Sequence, residues 1–410
     1  AVKEPGHHGR MDPSDRDRIL VEHFLPPQQS LRIAVVTETW PPEVNGVALT
    51  LAKLVDGLCQ RNHAVQLIRP RQDKNETALV QDDMSELLLT GLPIPRYPQL
   101  KLGLPSKKAL IRAWTLRRPD LVHIATEGPL GWSALQAARR LRLPVTSDFR
   151  TNFHSYSKHY GVGWLRKPIV AYLRKFHNNT ACTMVPTHLL KSELQKLGFD
   201  NLRVVARGVD TGMFHPRHRS EALRQSWGAD DKTLVLLSVG RLAPEKNLDL
   251  VVKAYQALRA AQRPVRLVFA GDGPYRAELQ ARCPDAVFLG MCDHQTLSTV
   301  YPSADLFLFP SLTETFGNVT LEALACGTPV LAFDSAAASE LVQANRNGWL
   351  VQGESEEDYL DTALTATRNT AALMAMRTPT CESVAALDWL QIVMQVESIF
   401  MQTQSSSEQV

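Results

Sequence analysis

Seven residues separate Glu314 from Glu322 in the stretch LFLFPSLTETFGNVTLEALACGTPVLAFD, residues 306–334, and Phe316, Gly317 and Asn318 stand between them. Carboxylates accept hydrogen bonds from sugar and ribose hydroxyls. A glycine at a helix start lets backbone N–H groups approach an anion, and the helix dipole favours negative charge there. One loop therefore offers hydroxyl acceptors and a phosphate site together. A second stretch, SVGRLAPEKN, places Arg241 and Lys246 just beyond an apolar run. Two cations on one loop suit a diphosphate, whose charge grows as a bond to it breaks. Taken singly, each of these residues is an ordinary solvated surface charge.

The elements that must position them follow from apolar spacing. The stretch 306–334 reads strand, loop, helix, strand, a βαβ unit of parallel sheet. Upstream, LRIAVVT is a buried strand, a loop through Asn45-Gly46 follows, residues 47–60 have helical spacing, and residues 63–70 form the next strand. Strands and helices alternate to the end of the chain, which predicts an α/β fold of doubly wound parallel sheets. Residues 1–30 read as a loose polar arm, 31–207 as one Rossmann-like domain, and 208–384 as a second. There is no Gly-x-Gly-x-x-Gly, which argues against a dinucleotide cofactor. Glu127, at the carboxyl side of a first-domain strand, is a candidate acceptor contact. The segment 147–161 carries Arg150 and His154. A guanidinium stays protonated, so Arg150 is no general base, and its chemistry is contact with a charged group.

Glu314 and Glu322 in this context, with Phe-Gly after the first and Glu-Ala-x-Ala-x-Gly at the second, resemble the donor signature of retaining glycosyltransferases of family 4, and Gly-Arg-Leu-x-x-Glu-Lys-Asn strengthens the likeness. The resemblance covers about residues 31–400. It implies the GT-B architecture, two Rossmann-like domains facing a cleft, with residues 385–410 crossing back onto the first domain. It implies a hexosyl unit moved from a UDP- or GDP-linked sugar to an acceptor hydroxyl with retention, forming an α-glycoside. Glu314 would contact the donor sugar and Glu322 the ribose, while Arg241 and Lys246 neutralise the leaving diphosphate. Asn45 and Gly46 would lie near the phosphates, and Leu289 and Gly290 along the nucleobase. Many members carry histidine where Arg150 stands, so base catalysis at that position is not carried over. The likeness implies a front-face mechanism without an enzymic nucleophile. The alternatives are a soluble-acceptor glycosyltransferase and a non-catalytic nucleotide-sugar- or glycan-binding protein on the same fold.

Composition bounds the rest. Among 410 residues, 44% are hydrophobic and 21% charged, the balance of a soluble globular protein. No apolar run approaches the ~20 residues of a membrane-spanning helix. Six scattered cysteines form no Cys-x-x-Cys pair and indicate neither zinc nor a disulfide framework. The only Asp-x-Asp triplet, Asp15-Arg16-Asp17, falls in the polar arm, so no metal or other cofactor is expected. Residues 31–207 carry 26 Lys and Arg against 13 Asp and Glu, a net of +13, whereas residues 208–384 carry 15 against 21, a net of −6. The cations of 106–118 and 166–176 alternate with apolar residues, which points to an anionic membrane surface and a lipid or lipid-linked acceptor. No aromatic stacking platform for nucleic acid is present. The expected location is cytoplasmic, including peripheral attachment to the cytoplasmic face of a membrane.

Overall fold

Apolar runs too short for a helix become parallel strands. The computed structural model describes residues 29–41, 43, 46–73, 75–94, 97–150, 166–312, 314 and 316–408. The first half contains β1 (Arg32–Val36), β2 (Ala64–Pro70), β3 (Met84–Leu89), the hairpin β4 (Gly91–Ile94) and β5 (Tyr97–Gly103), then β6 (Leu121–Ile124), β7 (Val145–Asp148), β8 (Cys182–Val185) and β9 (Leu202–Val204). Apart from the antiparallel hairpin they form one parallel sheet in the order β3-β2-β1-β6-β7-β8-β9. The second half contains β10 (Leu234–Val239), β11 (Val265–Ala270), β12 (Val287–Phe288), β13 (Leu306–Phe309), β14 (Val330–Phe333) and β15 (Gly348–Val351). They pair in parallel in the order β12-β11-β10-β13-β14-β15. Each sheet grows outward from its first strand in both directions. The loops leaving β1 and β6, and those leaving β10 and β13, diverge and open a crevice at the carboxyl ends of the strands.

Side chains alternate across each sheet and supply two apolar layers. On the first sheet, Ile33 and Val35 pack with the helix Gly46–Gln60, while Ala34 and Val36 pack with the helices Lys107–Leu116 and Pro129–Arg140. The helix Trp389–Glu408 returns to the first sheet: Ile392, Val393, Val396, Ile399 and Phe400 join the layer of Leu51 and Leu54. The approach is close. A Cβ at Gly57 would lie 2.5 Å from Val393 Cγ2, so any other residue there must displace Val393. A polar clasp fixes the register. The Leu31 N–H donates to His63 Nδ1 at 3.1 Å, which leaves the imidazole proton on Nε2, 2.8 Å from Glu397 Oε1. Arg61 donates to the other oxygen of Glu397 through Nε (2.9 Å) and Nη2 (2.6 Å).

The two basic segments also contribute to the first domain's packing. Both are helices, Lys107–Leu116 and Arg166–His177, and their apolar residues serve the interior. Leu110, Trp114 and Phe176 are fully buried in one core layer, and Ile169 and Val170 pack against Leu173 and Phe199 in another. Exposed on these segments are the cations Lys107, Lys108, Arg112, Lys167, Arg174 and Lys175, with Leu116 and Tyr172 as the exposed large apolar side chains. Among the described residues, no helix is long and apolar enough to cross a membrane.

Candidate active site

The second-domain switch point collects the residues singled out from sequence. After β10 the chain passes Gly240, makes a single 3-10 turn over Pro244–Lys246, and enters the helix Leu248–Ala260 through Asn247, which is left-handed at φ 55°. After β13 it passes Ser311 and Glu314 and reaches Gly317, at φ 87°, which starts the helix Asn318–Ala325. Gly240, Arg241, Lys246, Glu314, Gly317 and Asn318 line one pocket between these loops. Lys246 Nζ donates to Glu314 Oε1, and Ser311 Oγ donates to the same oxygen at 3.1 Å. Arg241 is exposed and donates to Glu245. Both cations therefore rest on carboxylates, positions from which a diphosphate can draw them. Phe316 belongs to the core, and its carbonyl accepts from the Ala337 N–H at 3.0 Å; its part is to anchor Gly317.

Glu322 lies one turn into the helix, with its side chain 13% exposed. Burial pushes its carboxyl up to about 7, and the Tyr301 hydroxyl, donating to Oε2 at 2.8 Å, pulls in the other direction. His294 Nε2 stands 3.9 Å from the second oxygen. Leu289 and Gly290 prolong the sheet beyond β12: the Leu289 N–H donates to Phe269 O at 2.9 Å and the Gly271 N–H to Gly290 O at 2.7 Å. Gly271, at φ 140°, is obligatory, because a Cβ there would stand 1.9 Å from the Gly240 carbonyl. The loops after β10, β11 and β12 thus touch backbone to backbone.

The first domain faces this pocket. The Cβ position of Gly46 is 3.7 Å from Asn318 Nδ2, and the Leu189 N–H donates to Glu340 Oε1 at 3.0 Å. Asn45 and His154 lie outside the described residues, as do Asp15 to Asp17. Glu127, after β6, is held by His177 Nε2 at 3.2 Å and, through its carbonyl, by the Tyr172 hydroxyl at 2.5 Å. His177 Nδ1 lies 2.9 Å from Ser147 Oγ. Arg150 pairs with Asp148 beneath the crevice. Sequence reasoning missed Glu38, directly after β1. It accepts the Leu130 N–H at 2.9 Å at the start of the helix Pro129–Arg140, and a Cβ on Gly128 would meet its carboxyl at 2.1 Å. Its signal was present: an acidic residue at the carboxyl end of the first strand. Tyr301, Ser311 and His177 gave no such signal, since only folding brings them to their carboxylates. Among the described residues no group of three or more His, Cys, Asp or Glu side chains is placed to hold a metal ion.

Residues 44–212 match the family described as Glycosyltransferase Family 4, and residues 219–377 match Glycosyl transferases group 1. A GDP-mannose-dependent alpha-mannosyltransferase of Mycobacterium tuberculosis is 35% identical over 85% of this chain and 91% of its own. The chain belongs to glycosyltransferase family 4. An alpha-monoglucosyldiacylglycerol synthase of Streptococcus pneumoniae is 28% identical over 80% of this chain and 76% of its own. Among solved structures, sucrose-phosphate synthase of Thermosynechococcus elongatus matches with a TM-score of 0.73 at 18% identity, covering 92% of this chain and 100% of that one, a likeness of fold. The two doubly wound halves are those of a GT-B glycosyltransferase. As a family 4 hexosyltransferase, it uses a nucleotide-sugar donor.

Proposed function

We propose that this glycosyltransferase moves a mannosyl unit from GDP-mannose to a hydroxyl of a lipid or lipid-linked acceptor, with retention, to give an α-mannoside. One observation carries the chemistry: Lys246 and Glu314 are joined at the switch point, beside Arg241 and the Gly317 helix start. The diphosphate displaces the carboxylates from Arg241 and Lys246 and takes both charges as the glycosidic bond breaks. Glu314, released, accepts from the sugar hydroxyls. Glu322 accepts from the ribose, Leu289 and Gly290 border the base, and Gly46 approaches the phosphates from the first domain, the role the sequence also gives Asn45. Glu127 and Arg150 serve the acceptor, the role the sequence also gives His154. The two cations do the neutralising work without a metal, and the leaving phosphate takes the acceptor proton. The mannosyltransferase relative supports the donor, and the diacylglycerol-glycosylating relative supports a lipid acceptor. The exposed cations of the first domain hold the enzyme at an anionic surface, each contributing on the order of 1 kcal/mol.

The test is transfer from GDP-mannose, compared with UDP-glucose, to diacylglycerol-based lipids in mixed micelles. Mass spectrometry should find a lipid carrying one added hexose that an α-mannosidase removes. Preferential use of UDP-glucose would overturn the donor, and transfer to soluble sugars alone would overturn the acceptor. Sedimentation with vesicles checks the surface: binding should need anionic lipid and weaken as salt rises.

A further inference from the structure

We propose that the first domain binds an oxyanion of the phosphate-ester class between Arg150 and Arg207, across the cleft from the donor's cations. Arg150 follows β7 and Arg207 follows β9, and both line one pocket together with Asp148, Thr50 and Trp389. Among the described residues, the charged groups lining it are Asp148, Arg150 and Arg207, with His123 and the Cys182 thiol beside Asp148. Asp148 is shared: it takes one arm of Arg150, and His123 Nε2 lies 3.6 Å from the same oxygen. One carboxylate thus answers two guanidiniums, which stay protonated.

The donors are not used up. The Arg150 side chain is 5% exposed, yet its Nε and Nη1 have no hydrogen-bond partner among the described residues. Leaving buried donors unpaired is costly, and more so on a charged group. Burial, with the neighbouring charge of Arg150, pushes the Arg207 guanidinium down to about 9, while Asp148 opposes the shift. An oxyanion between the two arginines satisfies the open N–H groups and cancels the surplus charge, and guanidinium forks match phosphate oxygens in shape.

The pocket is also placed for substrate. Thr50 donates to Gly46 O at 2.6 Å, one helical turn back, and Gly46 is the residue that meets Asn318 of the donor pocket. One turn is roughly 5.4 Å. A phosphate on the acceptor, or the donor's own diphosphate in a closed cleft, has the same chemistry and reaches the same place. The assignment goes beyond the donor reading and does not depend on it.

Calorimetric titration with inorganic phosphate in an Arg241→Ala, Lys246→Ala background, which removes both donor-side cations, leaves this site to be read. Saturable binding is expected there, weakened at least tenfold by Arg207→Gln and by Arg150→Gln. Circular dichroism verifies that each variant is folded, and Arg207→Lys, which keeps the charge, should retain part of the affinity. Two further titrations of Arg207→Gln with Arg241 and Lys246 intact separate the sources. Tenfold weaker GDP binding assigns the site to the donor diphosphate; weaker binding of glycerol 3-phosphate with GDP unchanged assigns it to a phosphate-bearing acceptor. If Arg207→Gln and Arg150→Gln, both folded, bind phosphate, GDP and glycerol 3-phosphate as well as their parents do, the proposal is overturned.

Discussion

The two switch points have the same topology, and each holds one buried carboxyl raised to about 7 by burial, Glu38 in the first domain and Glu322 in the second. Their partners differ. Glu38 accepts the Leu130 N–H, and the backbone of Gly103 and Gly131, from its own domain, also draws its carboxyl down while nearby Glu127 pushes it up. Glu322 accepts one hydroxyl, from Tyr301, and keeps acceptor capacity on its second oxygen. The same burial serves a helix start in one case and an open site in the other. In a doubly wound sheet, position at the switch point nominates a residue. Whether its hydrogen bonds are already taken decides between scaffold and ligand contact.

The sharpest break of this comparison is Lys246→Ala. Loss of a charge stabiliser at the leaving group should lower kcat by roughly 10²–10³, with little change in thermal unfolding. Turnover within threefold of wild type would remove Lys246 from the chemistry. Glu38→Ala should do the opposite: unfolding in urea should show a loss of about 1–2 kcal/mol, as for a lost helix cap, while the folded fraction turns over nearly as before. A stable but inactive variant would make Glu38 part of the reaction. Glu322→Gln tests the second carboxyl through pH. Its folded value, about 7, lies above the ordinary 4.5, so the stability tied to its protonation is present below 4.5 and lost as pH rises towards 7. The variant should therefore gain in Tm relative to wild type across that window, and level off above it. It should also bind GDP about tenfold more weakly at pH 8, the cost of a lost charge-assisted hydrogen bond. A pH-independent Tm difference would contradict the burial argument. The smallest expected effect is that of chelator: EDTA should change activity by less than about twofold, because Arg241 and Lys246 supply the charge. Complete loss restored by Mn²⁺ counts against them.

The second-domain site was legible because its parts are local. Glu314, Gly317 and Glu322 sit on one loop and one helix, and Arg241 and Lys246 on one turn, so their spacing along the chain carries their geometry. The first-domain contacts are long-range: Glu38 reaches Leu130 and His177 reaches Glu127 across the sheet. Arg207 came into view only through the pocket it shares with Arg150. The alternation of strands and helices gave the fold class, but β3, β4, β5 and β15 escaped it. The hairpin contains Pro93 and Pro98, which argue against a strand, yet an isolated two-stranded ribbon has free edges where proline is tolerated. β15 is four residues long, too short to stand out. The basic helices were only half legible, for a different reason. A stripe of apolar residues beside cations looks the same whether it faces lipid or a core, and Trp114 and Phe176 face the core.

The returning helix has a consequence for how the chain is made. The first domain leaves the ribosome early, but one layer of its core is finished by Ile392, Val396 and Phe400, which are synthesised after the whole second domain. Until then Leu51 and Leu54 lack their cover, and Arg61 and His63 wait for Glu397. The first domain therefore matures last, although it is translated first. Its incomplete apolar face must be shielded during synthesis of the intervening residues, and a nascent chain arrested before Trp389 would present that face to chaperones and proteases while its second domain was already folded.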